Sequence, residues 1–270
     1  MYEYTVGEVP MSEVIAVDLG NSVAKFARVR DGEILARAHI ATALLRDIDS
    51  GSDLLAHVPA FGAVIQGRPP VILGSVVSWA GARLAALMTG LDCTVRPAIS
   101  LDFTALGMWI RYDSGEPGVD RVAACAEAFA RSGGPLIVIG LGTAVHTNVV
   151  TADGTYRGGA IMPGLRLMSE SLGVGTDQVG VIVPESPSRV IGTSTPECVE
   201  IGLFHGWLGG TLRLIDETQR ELNKIDPTCK APTLWISGGH AEWIAPELPG
   251  AHVEADLSVL GLARLWNALH

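Results

Sequence analysis

VIAVDLGNSVAKFARVRDG (residues 14–32) and LIVIGLGTAVHTNVVTADG (residues 136–154) are two copies of one pattern. In each, an apolar run ends in Leu-Gly and a small polar residue: Leu19-Gly20-Asn21 in the first copy, Leu141-Gly142-Thr143 in the second. A second apolar stretch follows, closed by Asp31-Gly32 or Asp153-Gly154 at the same spacing. The position before Leu-Gly is Asp18 in one copy and Gly140 in the other. The repeat predicts a duplicated domain. The carboxylate present only once predicts that the two copies divide the chemistry.

Outward from the first copy, Val14–Val17 reads as a buried β-branched strand, Val23–Val29 as a second and Glu33–Ile40 as a third, joined through the Asp-Gly turn. Residues 41–60 are predicted helical. Val71–Val76 reads as a strand, Trp79–Met88 as a helix stopped near Gly90, and Cys93–Arg96 as a short strand. Residues 98–117 read as a connection. Val119–Ala130 reads as a helix with Asp120 as its N-cap, ended by Gly133-Gly134-Pro135.

The second copy repeats the order, with strands at 136–140, 144–150 and 155–161. A helix opens at Pro163-Gly164, residues 173–190 form a loop, and Pro196–Glu221 is a long helix. Thr233–Ser237 is a strand leading into helix 240–245, and Asp256–Leu269 is a closing helix. Each half thus offers a βββαβα series, which predicts an α/β fold of two related domains with a ligand cleft between them. The divisions expected are an extension at 1–13, a first domain at 14–115 and a second at 116–270.

The 270 residues carry a net charge of −10 and no Lys/Arg-rich run, which argues against nucleic acid or an anionic membrane as partner. Backbone N–H groups and a few cations still suffice to hold phosphates. The four cysteines include no CxxC pair and read as reduced thiols. No apolar run reaches membrane-spanning length, and the acidic first residues lack a signal-peptide core, so the expected location is cytoplasmic.

Asp18, on a strand tip beside Gly20-Asn21-Ser22, suits a Mg²⁺ ligand next to phosphate-binding N–H groups. An ordinary polar turn explains the same residues. Lys25 is either a phosphate cation or a solvated strand residue. Gly142-Thr143 offers N–H groups and a hydroxyl but no metal ligand. Ser237-Gly238-Gly239, between strand and helix, suits close approach of a nucleotide. Asp120 is either a plain cap or a general base with Arg121 beside it for an anionic substrate. His146 reads as a packed or surface strand residue. No metal-ligand spacing occurs among the histidines, and no serine-hydrolase or P-loop motif is present.

Taken in order, these pieces resemble the type III pantothenate kinases of the actin/hexokinase-like superfamily. The resemblance runs from about Val14 to Leu265. It is carried by Asp18-Leu19-Gly20-Asn21-Ser22 with Lys25, Gly118-Val119-Asp120-Arg121, Gly142-Thr143-Ala144, Gly158-Gly159-Ala160-Ile161-Met162-Pro163-Gly164, Ile191-Gly192 with Thr195, and Ser237-Gly238-Gly239.

The resemblance implies two actin-like, ribonuclease-H-like domains, a homodimer, and ATP-dependent phosphorylation of pantothenate to 4′-phosphopantothenate, the first step towards coenzyme A. Asp18 would serve Mg²⁺. Gly20, Asn21, Ser22, Lys25, Gly142, Thr143 and the Ser237-Gly238-Gly239 turn would serve ATP. Asp120 would be the base. Tyr112, Gly118, Val119, Arg121 and Thr195 would contact the substrate. The family's second motif typically reads Asp-x-Gly-Thr-Ala-Thr-Thr-x-Asp, and its first Asp helps to hold K⁺ or NH₄⁺. Here that motif has Gly140, Val145, His146 and Asn148 in place of Asp, Thr, Thr and Asp, so the expected monovalent site lacks its carboxylates. The segment 112–117 before Gly118 also differs from the usual one. A kinase for another hydroxylated metabolite, or a non-catalytic binding protein on the same fold, are the alternatives these departures raise.

Overall fold

The computed structural model describes residues 13–176, 179–227 and 231–270. Of the expected extension 1–13, all but Glu13 lies outside the described residues, as does Cys229. Glu13 is ion-paired with Arg28 and Arg30. The chain forms two compact units. One holds the described residues up to Leu106 with Gly118–Ala123 and Ser258–His270, and the other holds Gly107–Pro117 and Ala124–Leu257.

In the first unit, β1 (Val14–Leu19), β2 (Val23–Arg30), β3 (Glu33–Ala41), β4 (Val71–Ser75) and β5 (Val95–Ala98) make a sheet of order β3-β2-β1-β4-β5. The first three strands meander antiparallel, and β4 and β5 run parallel to β1. The VIAV start of β1 is buried on both faces, as expected of a central strand. Asp31 and Gly32 both have positive φ (53° and 77°), the two-residue turn that matches strand twist. Helices α1 (Gly51–His57), α2 (Phe61–Val64) and α3 (Ser78–Thr89) complete a core around Phe26, Leu45, Leu54, Phe61, Leu84 and Met88.

Residues 41–60, expected to be helical, are helical in two pieces. A 3₁₀ turn at Thr42–Arg46 precedes α1, because Asp49-Ser50-Gly51 diverts the chain and Ser50 Oγ accepts the Asp53 N–H (3.1 Å) as a cap. Thr42 ties this segment back to the β1–β2 turn: its N–H donates to Ser22 O (2.9 Å) and its hydroxyl to Gly20 O (2.7 Å).

The second unit holds β6 (Trp109–Ile110), β7 (Leu136–Leu141), β8 (Ala144–Val150), β9 (Thr155–Pro163), β10 (Thr233–Ser237) and β11 (His252–Val253), in the order β11-β10-β7-β8-β9-β6. Read from β9, the series β9-β8-β7-β10-β11 repeats the first sheet's order, with β6 added at the edge. The duplicated βββαβα architecture is therefore present in the strand pairing itself. Helix α4 spans Val119–Ser132, α5 Leu165–Val174, α6 Thr195–Ile225, α7 Ala241–Ile244 and α8 Leu257–Leu269. The short strands β6 and β11 carry no sequence pattern that announces them. Among the described residues, no helix is long and apolar enough to cross a membrane.

The equal spacing of the two copies conceals a difference. Three residues, 20–22, join β1 to β2, but only Gly142-Thr143 join β7 to β8. The far end differs the other way: four residues, 151–154, join β8 to β9, against two, 31–32, between β2 and β3. There the loop from Thr151 to Thr155 is longer, closed by Thr151 N–H to Thr155 O (3.0 Å), and the β8–β9 register shifts between Asn148 and Val150. The register is therefore offset by one: Asp18 stands opposite Lys25, while Gly140 stands opposite His146.

Candidate active site

In the first unit the chemistry gathers at the carboxyl end of β1. Asp18, half-buried, faces Lys25 across β2 and Gly74 across β4. Residues directly opposite in an antiparallel pair project from the same face. Ser258, the second residue of α8, donates its hydroxyl to Asp18 Oδ2 at 2.6 Å. Gly74 leaves room for that approach, since a Cβ there would meet Leu262 and the Val119 side chain at 3.1–3.3 Å. Ser258 gave no signal in the sequence; only the packing of α8 reveals it.

The helix α4 begins at Val119 as expected, but Asp120 is its second residue and not its N-cap, which corrects the capping role expected of it. Gly118 precedes the helix and its carbonyl accepts the Arg121 and Val122 N–H groups (3.1 and 3.2 Å). Asp120 Oδ1 is buried and has no hydrogen-bond partner. A Cβ at Gly118 would come within 2.5 Å of that oxygen, so glycine keeps the carboxylate uncrowded. Val119 is buried towards Gly74, and Arg121 is also buried.

Burial is the main force raising both carboxyls. Asp18 is pushed up to about 6 by desolvation and then by the charge of Asp120; the Ser258 hydrogen bond and Lys25 pull it back. Asp120 is raised by desolvation, against the Arg121 N–H bond, the Arg121 charge and Lys25. Two carboxyls that resist ionisation stand here with Lys25 and Arg121 as their cations. Mg²⁺ takes oxygen ligands and is held by one or two carboxylates while keeping its waters, so the donor set at Asp18 fits that ion.

In the second unit, the Gly142-Thr143 turn and the Ser237-Gly238-Gly239 turn follow the adjacent parallel strands β7 and β10, with Ser237 opposite Gly140. Ligands of α/β sheets collect at such carboxyl ends. Gly238 has φ +100° and lies against the Leu141 carbonyl, where a Cβ would clash. A Cβ at Gly142 would meet nothing within 4 Å, so this turn is open. Gly142 N–H donates to Ala144 O (3.1 Å) and Gly164 N–H to Thr143 O (3.0 Å).

The residues around Gly140 do not fit a monovalent cation. A Cβ at Gly140 would overlap Cε1 and Nε2 of the His146 ring, so the imidazole fills the side where the expected carboxylate would project. His146 Nδ1 is 2.7 Å from Asn148 Nδ2, and the Tyr156 hydroxyl donates to Asn148 Oδ1 at 3.0 Å. His146 is thus a partner in a network, where the sequence reading gave only a packed or surface residue. Tyr156 was not singled out in the sequence at all.

Tyr112 lies against Gly158 and lines a cavity of about 440 Å³ with Arg111, Asp113 and Arg157. Thr195 is exposed behind the Ser194 cap of α6 and lines another of about 710 Å³ with Gly192 and Cys198. Both belong to the second unit. Among the described residues, no group of three or more His, Cys, Asp or Glu side chains could hold a metal.

Comparison with known proteins identifies the family. A family model described as type III pantothenate kinase matches residues 14–217. A type III pantothenate kinase of Alkalilimnicola ehrlichii is 34% identical over 269 residues, covering 94% of this chain and 98% of that protein. One from Thermomicrobium roseum is 29% identical over 269 residues, covering 95% and 98%. A solved Baf family structure from Campylobacter jejuni, 16% identical, covers 94% of this chain and 96% of its own with a TM-score of 0.52, a likeness of fold.

Proposed function

This chain belongs to the type III pantothenate kinase family, and from that membership we propose that it transfers the γ-phosphoryl group of ATP to the primary hydroxyl of pantothenate. The products are 4′-phosphopantothenate and ADP. The observation that carries the reading is the Asp18–Asp120 pair: Asp18 accepts the Ser258 hydroxyl at 2.6 Å and stands opposite Lys25, and Asp120 Oδ1 is buried without a hydrogen-bond partner. Phosphoryl transfer asks a protein mainly for positioning and charge neutralisation.

In this reading Asp120 accepts the proton of the substrate hydroxyl as that oxygen bonds to phosphorus. Its Oδ1, without a hydrogen-bond partner, and a pKa raised by burial suit a general base. Asp18 holds Mg²⁺, which supplies charge neutralisation of the phosphates. The Gly142-Thr143, Gly20-Asn21-Ser22 and Ser237-Gly238-Gly239 turns are assigned to ATP, with the Gly20 and Gly142 N–H groups closing their own turns. Tyr112, Gly118, Val119, Arg121 and Thr195 are assigned to pantothenate. A cytoplasmic homodimer belongs to the same proposal.

The test is ADP release coupled to a spectrophotometric readout, with ATP and Mg²⁺, with and without pantothenate. Pantothenate-dependent ADP release and a mass-spectrometric phosphopantothenate product are expected. ADP release driven only by some other hydroxylated metabolite, or none with any, would overturn the assignment.

A further inference from the structure

We propose that in this chain a hydrogen-bonded His146–Asn148–Tyr156 unit stands where its family places a monovalent cation, so that nucleotide binding here is indifferent to potassium. This rests on the kinase reading above, because the unit flanks the turn assigned to phosphate.

The orientation of the unit follows from its partners. Asn148 Nδ2 lies 3.5 Å from Val138 O as well as 2.7 Å from His146 Nδ1. A carbonyl oxygen only accepts, so the amide nitrogen faces it, and the amide oxygen faces the donating Tyr156 hydroxyl. An amide nitrogen only donates, so His146 Nδ1 is the acceptor and the neutral ring carries its proton on Nε2. Asn148 and Tyr156 are fully buried, which holds the ring in one orientation.

A potassium ion needs oxygen acceptors, and this surface has few to give. Asn148 Oδ1, on the same face of β8 as His146, accepts from Tyr156. Gly140, directly opposite His146, has no side chain. Where the carboxylate is expected, an imidazole ring stands against the Gly140 backbone, its N–H the positive end of a dipole. Its position on the sheet is informative: His146 opposes Gly140 as Lys25 opposes Asp18. Both hairpins therefore set a nitrogen donor at the same place beside their glycine turn.

The full-length protein with MgATP is titrated calorimetrically in potassium, ammonium, sodium and choline chloride at matched ionic strength. The expected result is one ATP affinity in all four; a change of about fivefold or more between potassium and choline, the lower end of ordinary site-to-site coupling, would overturn the proposal. His146→Ala should weaken ATP in all four salts alike, and His146→Gln, which keeps an N–H donor, should stand near the parent. Parental affinity in His146→Ala would remove the role given to the ring. If pantothenate is not phosphorylated in any salt, the kinase reading fails, while the binding titrations still decide the cation question.

Discussion

The two glycine turns of this molecule sit at equivalent places in equivalent sheets and are equipped differently. At the end of β1, Asp18 faces Lys25; at the end of β7, Gly140 faces His146. The first pair carries a carboxyl raised to about 6, with a second carboxyl, Asp120, bearing on it. The second carries no charge of its own on the glycine and packs an imidazole onto the bare backbone. Topology survived duplication because buried strands and tight turns specify it. The chemistry did not, because it depends on single side chains and on a register that a one-residue change in turn length resets. If the division is real, damage to the first hairpin's surroundings should abolish chemistry, and damage to the second should chiefly cost stability and nucleotide affinity.

The largest effect is expected at Asp120. Asp120→Asn keeps the shape but cannot take a proton, and should lower kcat by roughly 10²–10⁴, the ordinary contribution of a general base. ATP affinity should stay at the parental level. Turnover near the parent's would move the base elsewhere and break the asymmetry between the units.

Asp18→Asn separates activity from stability. A carboxyl whose pKa rises from 3.8 unfolded to about 6 folded binds its proton more tightly in the folded state. Its ionisation therefore costs stability as pH rises through about 6, and that cost is relieved as pH falls. Asp18→Asn should raise the unfolding free energy above pH 7 by at most about 3 kcal/mol, since each pKa unit is about 1.4 kcal/mol. The gain should fade below pH 4, where both forms are neutral. Mg²⁺ should stabilise the parent and not the variant, and kinase activity should fall steeply. A stability difference independent of pH would show that the charge on Asp18 is not the cause.

Much of this was legible beforehand, and the failures have physical causes. The strands β1–β3 and β7–β9 follow from β-branched runs and Asp-Gly turns, whereas Asp18, Lys25 and Asp120 each read equally as ordinary turn, strand or cap residues until the resemblance is weighed. The helical stretch expected at 41–60 is split in two because Ser50 prefers a cap to a helix interior. Ser258 stayed hidden because its role depends on α8 reaching Asp18 from 240 residues away in the chain. Nothing in the sequence signals that Ser258–His270 packs with the first unit. The register offset stayed hidden for a different reason: equal spacing of the Asp-Gly pairs looks like equal pairing, and a shorter turn compensated by a longer loop leaves no trace in a count of residues.

The second hairpin is tested by steric means. Gly140→Ala places a methyl against the His146 ring, and overpacking of this kind costs about 1–3 kcal/mol. Removing the ring in Gly140→Ala/His146→Ala should return much of that loss, a coupling of the size seen for residues in contact, about 0.5–3 kcal/mol. Denaturant melts of the four proteins give the cycle. Additive effects would mean that Gly140 does not exist to seat the imidazole.

The smallest expected effect probes the first hairpin without removing a charge. The Ser258 hydroxyl holds Asp18's pKa down, so Ser258→Ala should let it climb further above about 6. One lost hydrogen bond to a charged group is worth about 1.5–3 kcal/mol at most when buried, and Lys25 remains, so a rise on the order of one unit is the scale. The acid limb of the kcat/KM profile should move to higher pH by that amount, while activity well above the limb returns to the parental level. The second hairpin offers a matched control in Tyr156→Phe, which also deletes one hydroxyl from a buried polar side chain but touches no carboxyl. It should cost about 1–2 kcal/mol of stability and leave the acid limb where it was. A limb that moves equally in both variants would mean that it reports general loosening of the fold and not the ionisation of Asp18.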